Sequence, residues 1–368
     1  AASAPAAIGV APSAAPAPAS APASTPALAP PRSVPASAPG PAASGATPAP
    51  ASAPPSTPAQ GITREASGAG FDTGTFWRVT SPDGARAHLL GTIHLGRPDD
   101  LSVPPQAWDQ LRQARRVVVE LAHDTLDAHQ VAKLQRLPAS QSMARHLSRD
   151  EQGRLLQRLN RAGVRPAALL HFKPWVLTQW LQVGGMQPAM SLDDQVVLLA
   201  RMAGIPVSSL ESVHEQFSAF ECIDTVEQVL LLKETLAMRE EFFVQLNQDM
   251  LSLYRTQRVG ELVDQIERRF PISPPARAIE ARSTACTIAR RNLRFAQRLR
   301  PLLGAGDVFV AIGAAHLHGH DGVLAQLAQG GYRIERMPVE EPTAATPAAK
   351  TAATMPGTRP ETMPENPR

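Results

Sequence analysis

Three residues of this chain have types and settings that could do chemistry together: His94, Glu120 and His316. Two of them close the same short pattern, Gly91-Thr92-Ile93-His94 and Gly313-Ala314-Ala315-His316. Each pattern follows an apolar run, and Glu120 follows Val117-Val118-Val119. Two neutral imidazoles and a carboxylate suit a divalent metal such as Mn, Co or Zn, with one coordination position left for water. The same groups also suit metal-free chemistry, in which a histidine activates water and the glutamate orients it or accepts protons. Gly91 and Gly313 would let the backbone turn sharply or approach a ligand closely.

Each residue has a plainer competitor. A histidine after a strand is usually structural, and a glutamate there often caps a helix or pairs with an arginine. What favours function is that all three sit in equivalent places, at the carboxyl ends of buried strands, where α/β sheets bind ligands. Glu211 follows Val207 to Leu210 in the same way and is a candidate second carboxylate, with helix capping as its rival role. His318 and His320 alternate with His316, but Gly319 and Gly322 interrupt the run, so they read as surface histidines. His88 reads as a half-buried strand residue.

Other signatures are missing. There is no Gly-x-Ser-x-Gly elbow and no Walker A sequence. His214-Glu215 begins like a zincin motif but reaches Ser218 where the second histidine would stand. Gly304-Ala305-Gly306 lacks the third glycine of a dinucleotide fingerprint.

The elements that must position these residues can be read from pattern. Phe76 to Thr80 and Arg86 to Ile93 flank Ser81-Pro82-Asp83-Gly84, a turn signal, and predict a β-hairpin. Pro104-Pro105 opens a helix through about Ala114, and Arg116 to Leu121 predicts a buried strand. Helical spacing runs over Leu147 to Asn160, Pro166 to Val183 and Ser191 to Ala203. Pro206 to Leu210 is a short strand. A long helical pattern spans Val213 to about Arg269, and another helix spans Pro275 to Leu303. Then come a strand at Asp307 to Ile312, a helix at Gly319 to Gln329 and a strand at Tyr332 to Met337. This order predicts an α/β (α+β) fold, with a central mixed sheet and an inserted helical subdomain.

Composition sets the limits of that domain. Residues 1–70 hold no aromatic residue, and up to Thr63 their only charge is Arg32. A segment of Ala, Pro and Ser buries too little to offset the entropy of ordering. Residues 340–368 are alike, so the expected organisation is a disordered linker at 1–70, a domain at 71–339 and a disordered tail at 340–368. The net charge is +3, with no basic run interleaved with aromatics, which argues against a nucleic-acid partner. No apolar stretch is long enough to cross a membrane as a helix. The chain begins Ala1-Ala2-Ser3, which would suit a mature protein whose signal peptide or lipid anchor has been removed. A long Ala/Pro linker fits a tether in the bacterial cell envelope, in the periplasm or at a lipid anchor. Cys222 and Cys286 could form one bridge there, or be two small buried residues.

Several stretches together resemble the TraB/GumN family, which includes the pheromone-shutdown proteins and is related to Tiki proteases and to erythromycin-esterase-like and ChaN-like proteins. They are Phe76-Trp77-Arg78-Val79, His88 to Gly96, Val117 to Leu121, Gly204-Ile205-Pro206-Val207, Leu210-Glu211-Ser212 with Gln216, and Val308 to Leu317 followed by Gly319, Gly322-Val323-Leu324 and Gly331-Tyr332. Arg291-Asn292 stands where the family commonly has a similar pair. The ordered set covers about Phe71 to Val339 and is more specific than any one block. The resemblance implies paired Gly-x-x-His motifs with a glutamate at the site, and metal-dependent proteolysis in the Tiki relatives. The expectation is a metal-dependent hydrolase, a peptidase acting on a peptide or protein. The alternatives are a metal-free esterase-type hydrolase using the same residues, and a non-catalytic module that sequesters a peptide.

Overall fold

The computed structural model describes residues 71–94, 101–160, 166–184, 190–261 and 270–339. The expected tails, 1–70 and 340–368, lie outside the described residues.

Six strands form one mixed sheet: β1 (Phe76–Thr80), β2 (Arg86–Thr92), β3 (Arg116–Val119), β4 (Val207–Ser209), β5 (Val308–Gly313) and β6 (Arg333–Arg336). Their order is β4-β3-β5-β2-β1-β6. β1 and β2 make the expected hairpin, with Phe76 opposite Leu90 and Thr80 opposite Arg86. β5 lies parallel between β2 and β3, and β4 runs parallel to β3 at one edge. β6 pairs antiparallel with β1 at the other edge.

The apolar runs are continuous because both faces of the central strands are covered. Leu90, Val117, Val119, Phe309 and Ala311 face one core, with Val196, Ala200, Phe243, Met250 and Tyr254 from the helices Leu192–Met202 and Glu240–Arg255. Their neighbours Leu89, Val118, Val310 and Ile312 face the other, with Phe295, Leu299, Leu303 and Leu327 from the helices Arg290–Gly304 and Val323–Gln329. The strand period of two thus sorts alternate residues into two layers. A third core holds the inserted helices, where Leu155, Trp175, Leu177, Phe217 and Leu232 meet.

The helical insertion is more divided than its periodicity predicts. The stretch from Val213 breaks into Val213–Phe220, Thr225–Ala237 and Glu240–Arg255. A capping box of Ser212 with Glu215 starts the stretch, and a second, Asp224 with Glu227, starts a new helix inside it. Pro174 likewise opens Pro174–Gln182 as a helix separate from Pro166–Leu169. The helix expected from Gly319 begins instead at Val323, and a four-residue helix, Ala314–Leu317, precedes it. A helix the pattern did not reveal spans Ala128–Gln135.

Cys222 and Cys286 are bridged. Cys222 follows the helix Val213–Phe220, whereas Cys286 lies in a π-helical turn, Ala285–Ala289, that joins Pro274–Thr284 to Arg290–Gly304. Among the described residues no helix is long and apolar enough to cross a membrane.

Candidate functional site

β3, β5 and β2 are consecutive in the sheet and parallel, so their carboxyl ends open on one edge. Glu120 stands just past β3, His94 just past β2, and His316 on the short helix that leaves β5. All three converge on Gly313. A methyl group there would lie 3.1 Å from Glu120 Oε1, 3.6 Å from His316 Cδ2 and 3.9 Å from His94 Nε2. Gly91 serves the same packing from the neighbouring strand, since a methyl group there would press on Leu317 and on Ala314 at 3.0–3.2 Å. Neither glycine makes a sharp turn. Both leave room for the two motifs to lie against each other.

Arg291 is the hub of the site and is 1% exposed. Its Nη2 donates to Glu120 Oε2 at 2.5 Å and to Glu211 Oε1 at 2.6 Å. Its Nε donates to both Glu211 oxygens. Its Nη1 donates to the Thr287 carbonyl and to His316 Nε2, the latter at 3.0 Å. Every guanidinium nitrogen is therefore engaged, as a buried guanidinium requires. Thr287 lies in the π-helical turn and Arg291 at the start of the helix that follows it. Glu211, buried and shared with Arg294, is a partner of the hub; the cap of the following helix is Ser212.

The network fixes the His316 tautomer. Nε2 accepts from Arg291, so Nδ1 carries the proton and donates to Asn292 Oδ1 at 2.6 Å. Asn292 is held in turn through its donation to the Asp321 carbonyl. Glu120 Oε1 accepts from the Gly313 N–H at 2.6 Å. Burial opposes the Glu120 charge, but His316, Arg291, His94 and the Gly313 N–H prevail and bring its carboxyl down to about 2. Burial, with Arg291 and His94, lowers His316 to about 3 against the pull of Glu120. His316 is thus neutral at neutral pH, and Arg291 is the fixed positive charge beside Glu120. Burial raises the Glu211 carboxyl, with Arg291 opposing.

His94 is engaged on its other side. Its Nδ1 lies 3.2 Å from Asp193 Oδ2, and Thr92 Oγ1 donates to Asp193 Oδ1 at 2.8 Å. None of these contacts uses His94 Nε2, the nitrogen that faces Glu120 and Gly313. A second pair flanks this one, His123 Nδ1 with Asp194 Oδ1 at 3.1 Å. Burial acts against the His123 charge, but Asp194, Asp193 and Glu120 raise its pKa. Asp193 and His123 are functional candidates the sequence did not disclose. Ser191 caps the helix through the Asp194 N–H, so the two aspartates read as ordinary first-turn acids.

As placed, the three expected residues do not form a ligand set for a metal. Both His316 nitrogens and both Glu120 oxygens are already bonded, and a guanidinium stands where a cation would have to enter. Among the described residues no group of three or more His, Cys, Asp or Glu side chains is arranged to hold a metal ion. Two histidine readings also separate. His320 is exposed and pairs with Asp321, as expected of a surface residue. His318 is buried, because its Nδ1 bonds the Phe71 carbonyl and its ring packs against Trp77 of β1. His88 is half-buried in β2, as expected.

The model of the TraB/PrgY/gumN family matches residues 75–336 of this chain. The uncharacterized protein YbaP of Shigella flexneri and that of Escherichia coli (strain K12) are each 23% identical to it over 254 residues, covering 68% of this chain and 90% of theirs. No solved structure matches it significantly.

Proposed function

This chain belongs to the TraB/PrgY/gumN family, and from the site it carries we propose that it is a hydrolase of peptide or ester bonds with His94 as general base. The observation that carries the reading is the division of labour between the two motif histidines. His316 has both nitrogens committed to Arg291 and Asn292. His94 keeps Nε2 directed at the point where the site converges. In this mechanism Nε2 takes a proton from water, and the oxygen attacks the acyl carbon. The C–N or C–O bond then breaks, and the imidazolium returns the proton to the leaving amine or alcohol. Glu120, held as a carboxylate, favours the imidazolium as it forms. Arg291 and the Gly313 N–H fix Glu120 in place, and neither Arg291 nor His316 itself meets the substrate.

The metal-dependent version expected from the sequence needs Arg291 to leave its partners, so the metal-free version is the one put forward here. The Cys222–Cys286 bridge supports a place in the oxidising cell envelope. The test is a screen of fluorogenic peptides and esters against the wild type, His94→Ala and Glu120→Gln, with folding checked by circular dichroism. Turnover in the wild type and its loss in folded His94→Ala supports the reading. Equal turnover in both proteins rejects it, and tight peptide binding with no turnover supports a sequestering module instead.

A further inference from the structure

Asp193 is 4% exposed and lies at the amino end of the helix Leu192–Met202, far in sequence from both motifs. Its two oxygens are used unequally. Oδ1 accepts from Thr92 Oγ1 at 2.8 Å. Oδ2 is buried and has no hydrogen-bond partner among the described residues. The atom set against it is His94 Nδ1, 3.2 Å away but not aligned for a hydrogen bond. A buried carboxylate oxygen left without a partner is costly, and such an arrangement persists where a partner is close and needs only a small rotation to bond.

The surroundings hold the carboxylate still. Thr92 belongs to the same Gly-x-x-His motif as His94, so the residue that pins Asp193 and the residue it faces are two positions apart. The Tyr254 hydroxyl donates to the Gly91 carbonyl at 2.6 Å and ties the start of that motif to the helix Glu240–Arg255. Asp193 therefore has one free acceptor oxygen, one fixed orientation and one neighbour to accept a hydrogen bond from.

We propose that Asp193 is the positioning residue of the site: it accepts from His94 Nδ1–H, and so holds His94 in the tautomer whose Nε2 lone pair faces Glu120 and Gly313. The two motif histidines then share a tautomer but owe it to different partners. His316 is set by the neutral Asn292 and capped by Arg291. His94 is set by a carboxylate, which also stabilises the imidazolium when Nε2 takes a proton. Asp193 itself touches no substrate. Its consequence for turnover rests on the general-base reading above, but its effect on the His94 tautomer does not.

The experiment is nitrogen NMR of the full chain labelled with ¹⁵N-histidine, with His94 assigned by loss of its signals in His94→Gln. The wild type should show His94 with a protonated Nδ1 and an unprotonated Nε2. Asp193→Ala should shift His94 to the other tautomer or to a mixture, and leave the His316 signals unmoved as a reporter of an intact site. Asp193→Asn, whose oxygen keeps the Thr92 bond and whose amide N–H then faces His94 Nδ1, should move His94 toward the Nε2-protonated tautomer. With a substrate in hand, both variants should lower kcat about 10²-fold or more with little change in KM. A wild-type His94 protonated on Nε2, or a His94 tautomer unaltered in folded Asp193→Ala, would overturn the proposal even if the protein proves to be a hydrolase. If Asp193→Ala does not fold, Thr92→Val takes its place. Freeing the carboxylate that Thr92 pins should broaden or mix the His94 signals, and an unchanged His94 spectrum would again overturn it.

Discussion

Arg291 carries more of the site than either motif histidine. It joins Glu120, Glu211 and His316 in the interior, and removing one partner of such a set strands the others without charge compensation. Arg291→Met should therefore destabilise the fold by about 3–5 kcal/mol in urea titration, and a loss below about 1 kcal/mol would show that the cluster relaxes or admits water. Arg291→Lys should also fall short, because a point charge cannot bond Glu120, Glu211 and His316 at once. Gly313→Ala addresses the convergence point directly. Its methyl group would meet Glu120 Oε1 at 3.1 Å and must push that carboxylate aside. The expected outcome is a folded protein with impaired turnover, read by a substrate assay beside a melting curve. Full activity would mean that Glu120 does not need its present position.

At the scale of elements, the strands were legible in the sequence and much of the helical insertion was not. Runs such as Val117-Val118-Val119 and Val308 to Ile312 are buried on both faces, and short β-branched or aromatic runs of that kind suit a covered central strand. With the strands came their carboxyl ends, and so His94, Glu120 and His316. The insertion was blurred because helical periodicity continues across a cap, so Asp224 had to be recognised as a start, not as an interior residue. Arg291 could be placed only by resemblance, since a π-helical turn shifts the phase of the face it occupies. Asp193 was hidden by the role that any acid plays in a first helical turn. The disulfide joins two of these illegible elements across 64 residues. On the chain-entropy model a loop of that length stabilises the fold by about 4 kcal/mol. The double variant Cys222→Ser, Cys286→Ser should lose a comparable amount in denaturant titration. An unchanged midpoint would show that the helices around the bridge hold without it.

Taken as a whole, the molecule should be sensitive to acid. Burial leads the lowering of His88, with Arg78 assisting, to about 4; it lowers His318 to about 4 and His316 to about 3. In the unfolded chain these groups take up protons near pH 6.5, so between pH 6.5 and 3 the unfolded state binds more protons than the folded one. Their contribution is fully present above pH 6.5 and is lost as the pH falls toward 3. Glu120 adds to the loss below about 4.5, where its unfolded form takes up a proton that its folded form takes up only near 2. His123, raised by its acidic neighbours, works in the opposite sense. The urea midpoint should therefore be clearly lower at pH 4 than at pH 7, and equal midpoints would mean that these imidazoles are not buried and neutral.

The most direct test of the central claim is hydrolysis by metal-stripped protein. The full chain is dialysed against chelator, its metal content is measured, and turnover of a peptide or ester found in the screen is followed before and after Mn, Co or Zn is added. Turnover should survive stripping, change little when metal is returned, and disappear in folded His94→Ala. Turnover that vanishes on stripping and returns with one metal would contradict that claim, and would mean that Arg291 yields its place among Glu120 and His316 to a cation.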